Sequence, residues 1–153
     1  MSADFDLLVV GAGSGGIATA NRAASYGAKV AVIEHDRLGG TCVNVGCVPK
    51  KVMWFAASLA HAVDDAPGYG IEVSRTGLDW PALKAARDAY VARLNQLYAN
   101  TLGNNKVQHI SGNAQFVGPR TVSVEGQTYT GEHVLIATGG RPTKPDVPGA
   151  ELG

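Results

Sequence analysis

The chain has 153 residues, with 13 Lys+Arg against 13 Asp+Glu and a formal net charge of zero. That length fits one domain with a substantial core, and 45% apolar against 17% charged residues excludes a disordered chain. Balanced charge argues against a binder of nucleic acid or of an anionic membrane surface. Two cysteines and four histidines cannot supply two zinc sites or a disulfide-stapled secreted scaffold.

Residues 1–21 contain no Lys or Arg, and the apolar run 7–10 stops at Gly11, so the pattern of a targeting segment is missing. No window approaches the ~20 apolar residues of a membrane span. The expectation is a cytoplasmic protein. In a reducing compartment, two closely spaced cysteines read as redox or catalytic rather than structural.

In chain order, residues 5–10 form a short apolar run ended by glycine, which predicts a buried strand. Residues 14–26 are Ala-rich with helical spacing, and Gly27 ends that helix. Residues 29–33 are a second β-branched run, so strand, helix and strand predict a βαβ unit with parallel strands. A loop follows through Leu38-Gly39-Gly40-Thr41, and a helix is expected from Cys47 or Pro49 to about Val63. Residues 64–77 are turn-rich, with an extended piece expected at 71–73. Asp79-Trp80-Pro81 reads as an N-cap and first-turn proline opening a long helix to about Asn100. The remainder turns to β: short strands at 107–110 and 115–117, a hairpin of 121–124 and 127–130 around Glu125-Gly126, and a last buried strand at 134–137. Pro142, Pro145, Pro148 and Gly149 then make an extended exit. The predicted fold is α/β, a Rossmann-like βαβ parallel sheet with a small antiparallel β-meander. Residues 1–140 would be the domain and 141–153 a linker, as in a piece of a longer protein.

Two motifs carry chemistry. Gly11-Ala12-Gly13-Ser14-Gly15-Gly16 satisfies G-x-G-x-x-G at Gly11, Gly13 and Gly16, between a predicted strand and a predicted helix. The first glycine permits the tight turn, the second a close approach to a pyrophosphate, and the third close helix–strand packing. The helix N-terminus then offers N–H donors and a positive dipole end to the phosphates. Glu34, ending the second strand, stands where a carboxylate would accept hydrogen bonds from ribose hydroxyls and would repel a 2′-phosphate. The alternative is a tight βα turn beside an unrelated surface Glu.

Cys42-Val43-Asn44-Val45-Gly46-Cys47 is C-x4-C just before a helix start. A thiol there feels the dipole end that favours thiolate, and Lys50 adds positive charge if it folds back over that turn. This makes Cys47 the candidate thiolate and Cys42 the more accessible, exchanging thiol. The alternative is a pair of buried core cysteines. His35, His61, His109 and His133 read as surface histidines, Trp54 and Trp80 as packing residues, and Lys84, Arg87, Asp88 and Arg93 as a solvated helix face.

The stretch Gly39 to Lys51, with the Ala137-Thr138-Gly139-Gly140 strand end, resembles the redox-disulfide signature and second flavin-contacting segment of the flavoprotein disulfide reductases. The resemblance covers the whole chain but only about the first third of a typical family subunit. Pro49-Lys50-Lys51, Ala18 and the helix bearing Tyr98 resemble the branch that reduces glutathione disulfide, rather than those for trypanothione or lipoamide. Asn21 resembles the bacterial members of that branch, whose animal members set an Arg there against a substrate carboxylate. The resemblance implies FAD held by Gly11, Gly13, Ser14, Gly15, Gly16, Glu34, Gly40, Thr41, Cys42, Cys47, Lys50, Gly112, Ala114, Thr138 and Gly139. It implies Cys47 as the thiolate against the flavin and Cys42 as the thiol that attacks glutathione disulfide. Lys50 would ease hydride arrival from NADPH, and Ser14 and Tyr98 would hold the glutathione side. A homodimer is implied, with NADPH bound by a domain this chain does not contain. The isolated chain is therefore expected to be inactive; the alternative readings are a flavin-binding module without turnover, or another disulfide reductase of the family, acting on trypanothione or lipoamide.

Overall fold

In the computed structural model, which describes residues 3–152, the two apolar runs flanking the first glycine loop form neighbouring parallel strands. Strand β1 (Phe5–Val10) pairs with β2 (Val30–Glu34), with Leu7 opposite Val30 and Val10 opposite Ile33. Helix α1 (Ser14–Ser25) connects them. Helices α2 (Gly40–Asn44), α3 (Cys47–Asp65) and α4 (Trp80–Asn104) follow. Strands β3 (Gln108–Ser111), β4 (Ala114–Gly118), β5 (Thr121–Val124) and β6 (Gln127–Ile136) complete one six-stranded sheet of order β3-β2-β1-β6-β5-β4. The first four positions are parallel and the last three form an antiparallel meander, with β6 common to both. This is the Rossmann-like α/β architecture that the sequence predicts.

The core follows from the period-2 alternation of the two central strands. Val9, Val30 and Val32 face one side, where they pack with Ile17 and Ala20 of α1 and Leu102 of α4. Leu8, Val10, Ala31 and Ile33 face the other, where Val122 and Val124 of β5 cover them. Both faces of the parallel strands are thus buried, as their nearly continuous apolar character requires. The long helix opens as expected, with the Ala82 N–H donating to Asp79 Oδ1 at 2.9 Å. The β5–β6 hairpin turns through Glu125 and Gly126, both at positive φ, as a two-residue type I′ turn demands.

Several expectations are corrected. The segment 40–44, expected as loop, is the one-turn helix α2. The two strands expected at 127–130 and 134–137 are a single strand, because Gly131 continues the chain instead of breaking it. A Cβ at Gly131 would lie 2.9 Å from Leu8 Cβ, so a bare backbone is needed where the strand changes partners from β5 to β1. No strand forms at 71–73; a single 3-10 turn at Ala66–Tyr69 precedes that stretch. Trp54 and Trp80 are not packing residues: they are 62% and 51% exposed. Helix α3 buries none of its side chains fully, and Trp54, Phe55 and Leu59 point outward from it. Residues 137–149 carry no regular structure, and a 3-10 turn covers Ala150–Leu152. The outermost residues of the two expected segments, 1–2 and 153, lie outside the described residues. Among the described residues no helix is long and apolar enough to cross a membrane.

Candidate functional site

All four parallel strands point their carboxyl ends at one cleft of about 810 Å³. Its walls come from the loops leaving β1, β2, β3 and β6, together with the α2–α3 segment. A crevice outside the carboxyl ends of parallel strands, where neighbouring crossovers run in opposite directions from β1, is where this architecture binds nucleotides.

The glycine loop sets the floor. Gly11 has φ +102°, and a Cβ there would lie 2.4 Å from the carbonyl oxygen of Ala137. A Cβ at Gly16 would lie 1.8 Å from the Gly11 oxygen, so these two glycines let the first helix pack down on its own turn. Gly13 and Gly15 differ: a Cβ at Gly13 meets only Gly40 at an ordinary 3.8 Å, and one at Gly15 meets nothing within 4 Å. Their bare faces look into the cleft, and no side chain caps the N-terminus of α1 beside them. Uncapped first-turn amides at a helix N-terminus suit an anion.

Glu34 is 8% exposed. Its Oε2 accepts from the Ala12 N–H at 2.8 Å, and its Oε1 from the His35 and Asp36 N–H groups at 2.9 and 3.0 Å. A carboxylate has about four acceptor positions; Oε1 also has His35 Nδ1 at 3.0 Å, so this group holds the glycine loop to the end of β2 and only Oε2, with one donor, keeps capacity for a further one from the cleft. The same corner is tied by the Gly39 N–H to the Ala12 oxygen at 2.8 Å and by the Gly112 N–H to the Glu34 oxygen at 2.9 Å.

The two cysteines line the same cleft from the α2–α3 segment. Cys42 lies within α2 and Cys47 is the first residue of α3, with Gly46 between the helices. Both are free thiols. The α2 segment is brought against the glycine loop so closely that a Cβ at Gly40 would fall 2.7 Å from Gly13 Cα. The order of accessibility expected from sequence is reversed: Cys47 is exposed and Cys42 is half-buried. The hydrogen bond to the Cys47 side chain holds the Cys42 thiol above the ordinary thiol range, with desolvation adding to it.

Of the residues singled out from sequence, Gly11, Gly13, Ser14, Gly15, Glu34, Gly40, Thr41, Cys42, Cys47, Gly112, Ala114, Thr138 and Gly139 all line this cleft. Three do not. Gly16 is buried beneath the loop, Lys50 is exposed on α3 outside the cleft, and Tyr98 packs against the core cluster around Val9 and Ile17. Arg37, Asn44 and Asn113 line it without having been singled out. Asn44, between the two cysteines, was open to notice; Arg37 and Asn113 carry no motif and enter only through the fold. The four histidines are exposed, and His35, though at the surface, borders the cleft.

A Rossmann-like α/β fold whose cleft carries two neighbouring thiols is the architecture of the disulfide oxidoreductase class. The model of the pyridine nucleotide-disulphide oxidoreductase family matches residues 5–153, and the chain belongs to that family. A glutathione reductase of Nostoc sp. (strain PCC 7120 / SAG 25.82 / UTEX 2576) is 48% identical to it over 153 residues. That alignment takes in 100% of this chain and 33% of the relative, so the chain spans about a third of the length of the curated protein it matches.

Proposed function

We propose that the chain is the FAD-binding, redox-dithiol part of a glutathione-disulfide reductase. The observation that carries this reading is the opening of Cys42 and Cys47 onto the same cleft as the glycine loop. The fit to the cofactor rests on the uncapped N-terminus of α1 and on the side-chain-free faces of Gly13 and Gly15. Gly11, Gly13, Ser14 and Gly15 would hold the pyrophosphate, and Glu34 would accept from the ribose. Gly40, Thr41, Gly112, Ala114, Thr138 and Gly139 would line the rest of the site. When bound, FAD supplies the two electrons that reopen the Cys42–Cys47 disulfide, replenished from NADPH.

The dithiol half is written from this chain's own atoms. The Cys42 thiolate attacks one sulfur of glutathione disulfide, the Cys42–glutathione bond forms, and one glutathione leaves. Cys47 then attacks Cys42 Sγ, the second glutathione leaves, and the Cys42–Cys47 bond closes. Since Cys42 is half-buried and the hydrogen bond to Cys47 raises its pKa, its role rests on the family resemblance rather than on accessibility. Lys50 and Tyr98 would join only through groups bound at the site. In this reading residues 1–140 are the flavin domain and 141–153 the exit toward an NADPH-binding domain, in a protein that acts as a homodimer.

The test is a visible absorption spectrum of the chain with FAD, before and after two-electron reduction. A long-wavelength band on reduction is expected, from a Cys47 thiolate against the flavin, and should vanish in Cys47→Ser. Bound flavin without that band would instead support a binding module without turnover. No flavin binding in excess FAD would remove the proposal for this chain. Incubating reduced Cys47→Ser with glutathione disulfide should trap glutathione on Cys42; an unmodified Cys42 would reverse the two roles.

A further inference from the structure

The turn that carries Cys42 is too short to hold itself. Helix α2 has five residues, its N-cap Gly39 is left-handed and offers no side chain, and one isolated turn of helix does not persist in water. Its order comes from the buried Val43, from the Gly39 N–H bonded to the Ala12 oxygen at 2.8 Å, and from side-chain hydrogen bonds. Asn44 Nδ2 donates back to the Gly40 oxygen at 2.9 Å and to the Leu38 and Arg37 oxygens at 3.2 and 3.3 Å, folding the turn over its own entry.

Asn44 is itself held from outside. Asn95 Nδ2 donates to Asn44 Oδ1 at 2.9 Å and to the Leu38 oxygen at 2.7 Å, across 51 and 57 residues of sequence. Those two bonds use both protons of the Asn95 amide. Asn95 stands in the middle of the 25-residue helix α4, which is anchored by the buried Val91 and Leu102. Asn44 and Asn95 both border a groove of about 370 Å³ between these helices, which neither thiol lines.

We propose that Asn95 is a positioning residue for the dithiol: through Asn44 it fixes the turn bearing Cys42 relative to Cys47 and thereby sets the thiol–disulfide equilibrium of the pair. The inference rests on the redox reading of Cys42 and Cys47 given above. Two thiols held on fixed supports have a higher effective concentration toward each other than two on a loose turn, so their disulfide is the more stable. In exchange with glutathione the balance is simple: two protein thiols and one glutathione disulfide become one protein disulfide and two glutathiones.

The experiment equilibrates the 153-residue chain in glutathione buffers of varied ratio and counts free thiols after acid quench and alkylation. Asn95→Leu, similar in size but without the amide, is expected to shift the equilibrium about tenfold toward the dithiol, a potential about 30 mV higher. Asn44→Ala should give a similar shift, and the double variant no more than either single one, because both act through one network. An equilibrium within twofold of the unsubstituted chain, or additive single effects, would overturn the positioning role while leaving the redox pair intact. An unsubstituted chain that forms no Cys42–Cys47 disulfide at any ratio would instead remove the redox reading itself. Should the variants not fold, the unsubstituted chain still decides: the Asn95 side-chain amide resonances must move between dithiol and disulfide forms, and identical positions in both would refute the coupling.

Discussion

The N–H of Ala12 donates to Glu34 Oε2 at 2.8 Å, joining the second residue of the glycine loop to the last residue of β2. A carboxylate at the end of the second strand was expected to wait for a ribose. Here it first organises the protein, accepting three backbone N–H groups in a nearly closed environment. Replacement by Ala would leave those donors without a partner, each loss of a charge-assisted bond being worth about 1–3 kcal/mol. Glu34→Ala is expected to lower stability by about 3 kcal/mol in urea unfolding without any ligand present. A loss below about 1 kcal/mol would return Glu34 to a purely ligand-facing role.

The glycines of the loop should separate by function. Gly16→Ala drives a Cβ into the Gly11 oxygen and should cost about 3 kcal/mol or more. Gly15→Ala meets open space inside the first turn of α1 and should stabilise the free chain by about 0.5 kcal/mol. If the space belongs to a pyrophosphate, the same substitution weakens FAD binding. Thermal unfolding with and without FAD checks both signs; equal effects of the two substitutions would contradict the packing.

The Cys42 thiol should respond to its neighbour. Because its largest perturbation is the hydrogen bond to Cys47, its pKa lies above the ordinary thiol value and its thiolate fraction at a given pH lies below that of a free cysteine. Cys47→Ala should bring the pKa down and speed alkylation of Cys42 at mildly alkaline pH, followed by peptide mapping after iodoacetamide. An unchanged or slower rate would show that partial burial, rather than Cys47, governs this thiol.

At the start of α4, Asp79→Ala removes the acceptor for the Ala82 N–H. A lost N-cap costs about 1 kcal/mol. Asp79→Ser should recover most of it in equilibrium unfolding; equal losses for Ala and Ser would show that the cap carries no stability.

What the sequence made legible was whatever local physics decides. Phe5–Val10, the glycine loop and Asp79-Trp80-Pro81 each contain their own reason to form a strand, a turn or a helix start. Helix α2 was hidden because glycine, threonine and asparagine give no helical preference, and the turn is held by Asn44 and by Asn95, which lies 51 residues further along the chain. The sequence pattern divides strand β6 in two because a glycine punctuates a pattern whether or not the backbone continues through it. Periodicity predicts that Trp54 lies on a helix but not which way that face turns. Of the cleft, the residues with motifs were visible in advance, whereas Arg37 and Asn113 reach it only by tertiary placement.

Strand β6 gives Gln127–Thr130 to the meander beside β5 and Gly131–Ile136 to the parallel ladder beside β1. Neither ladder can melt alone without stripping a partner from the other. The cleft wall formed by the end of β6 therefore shares the fate of the hairpin at its far end, and the two should exchange their amide protons as one cooperative unit.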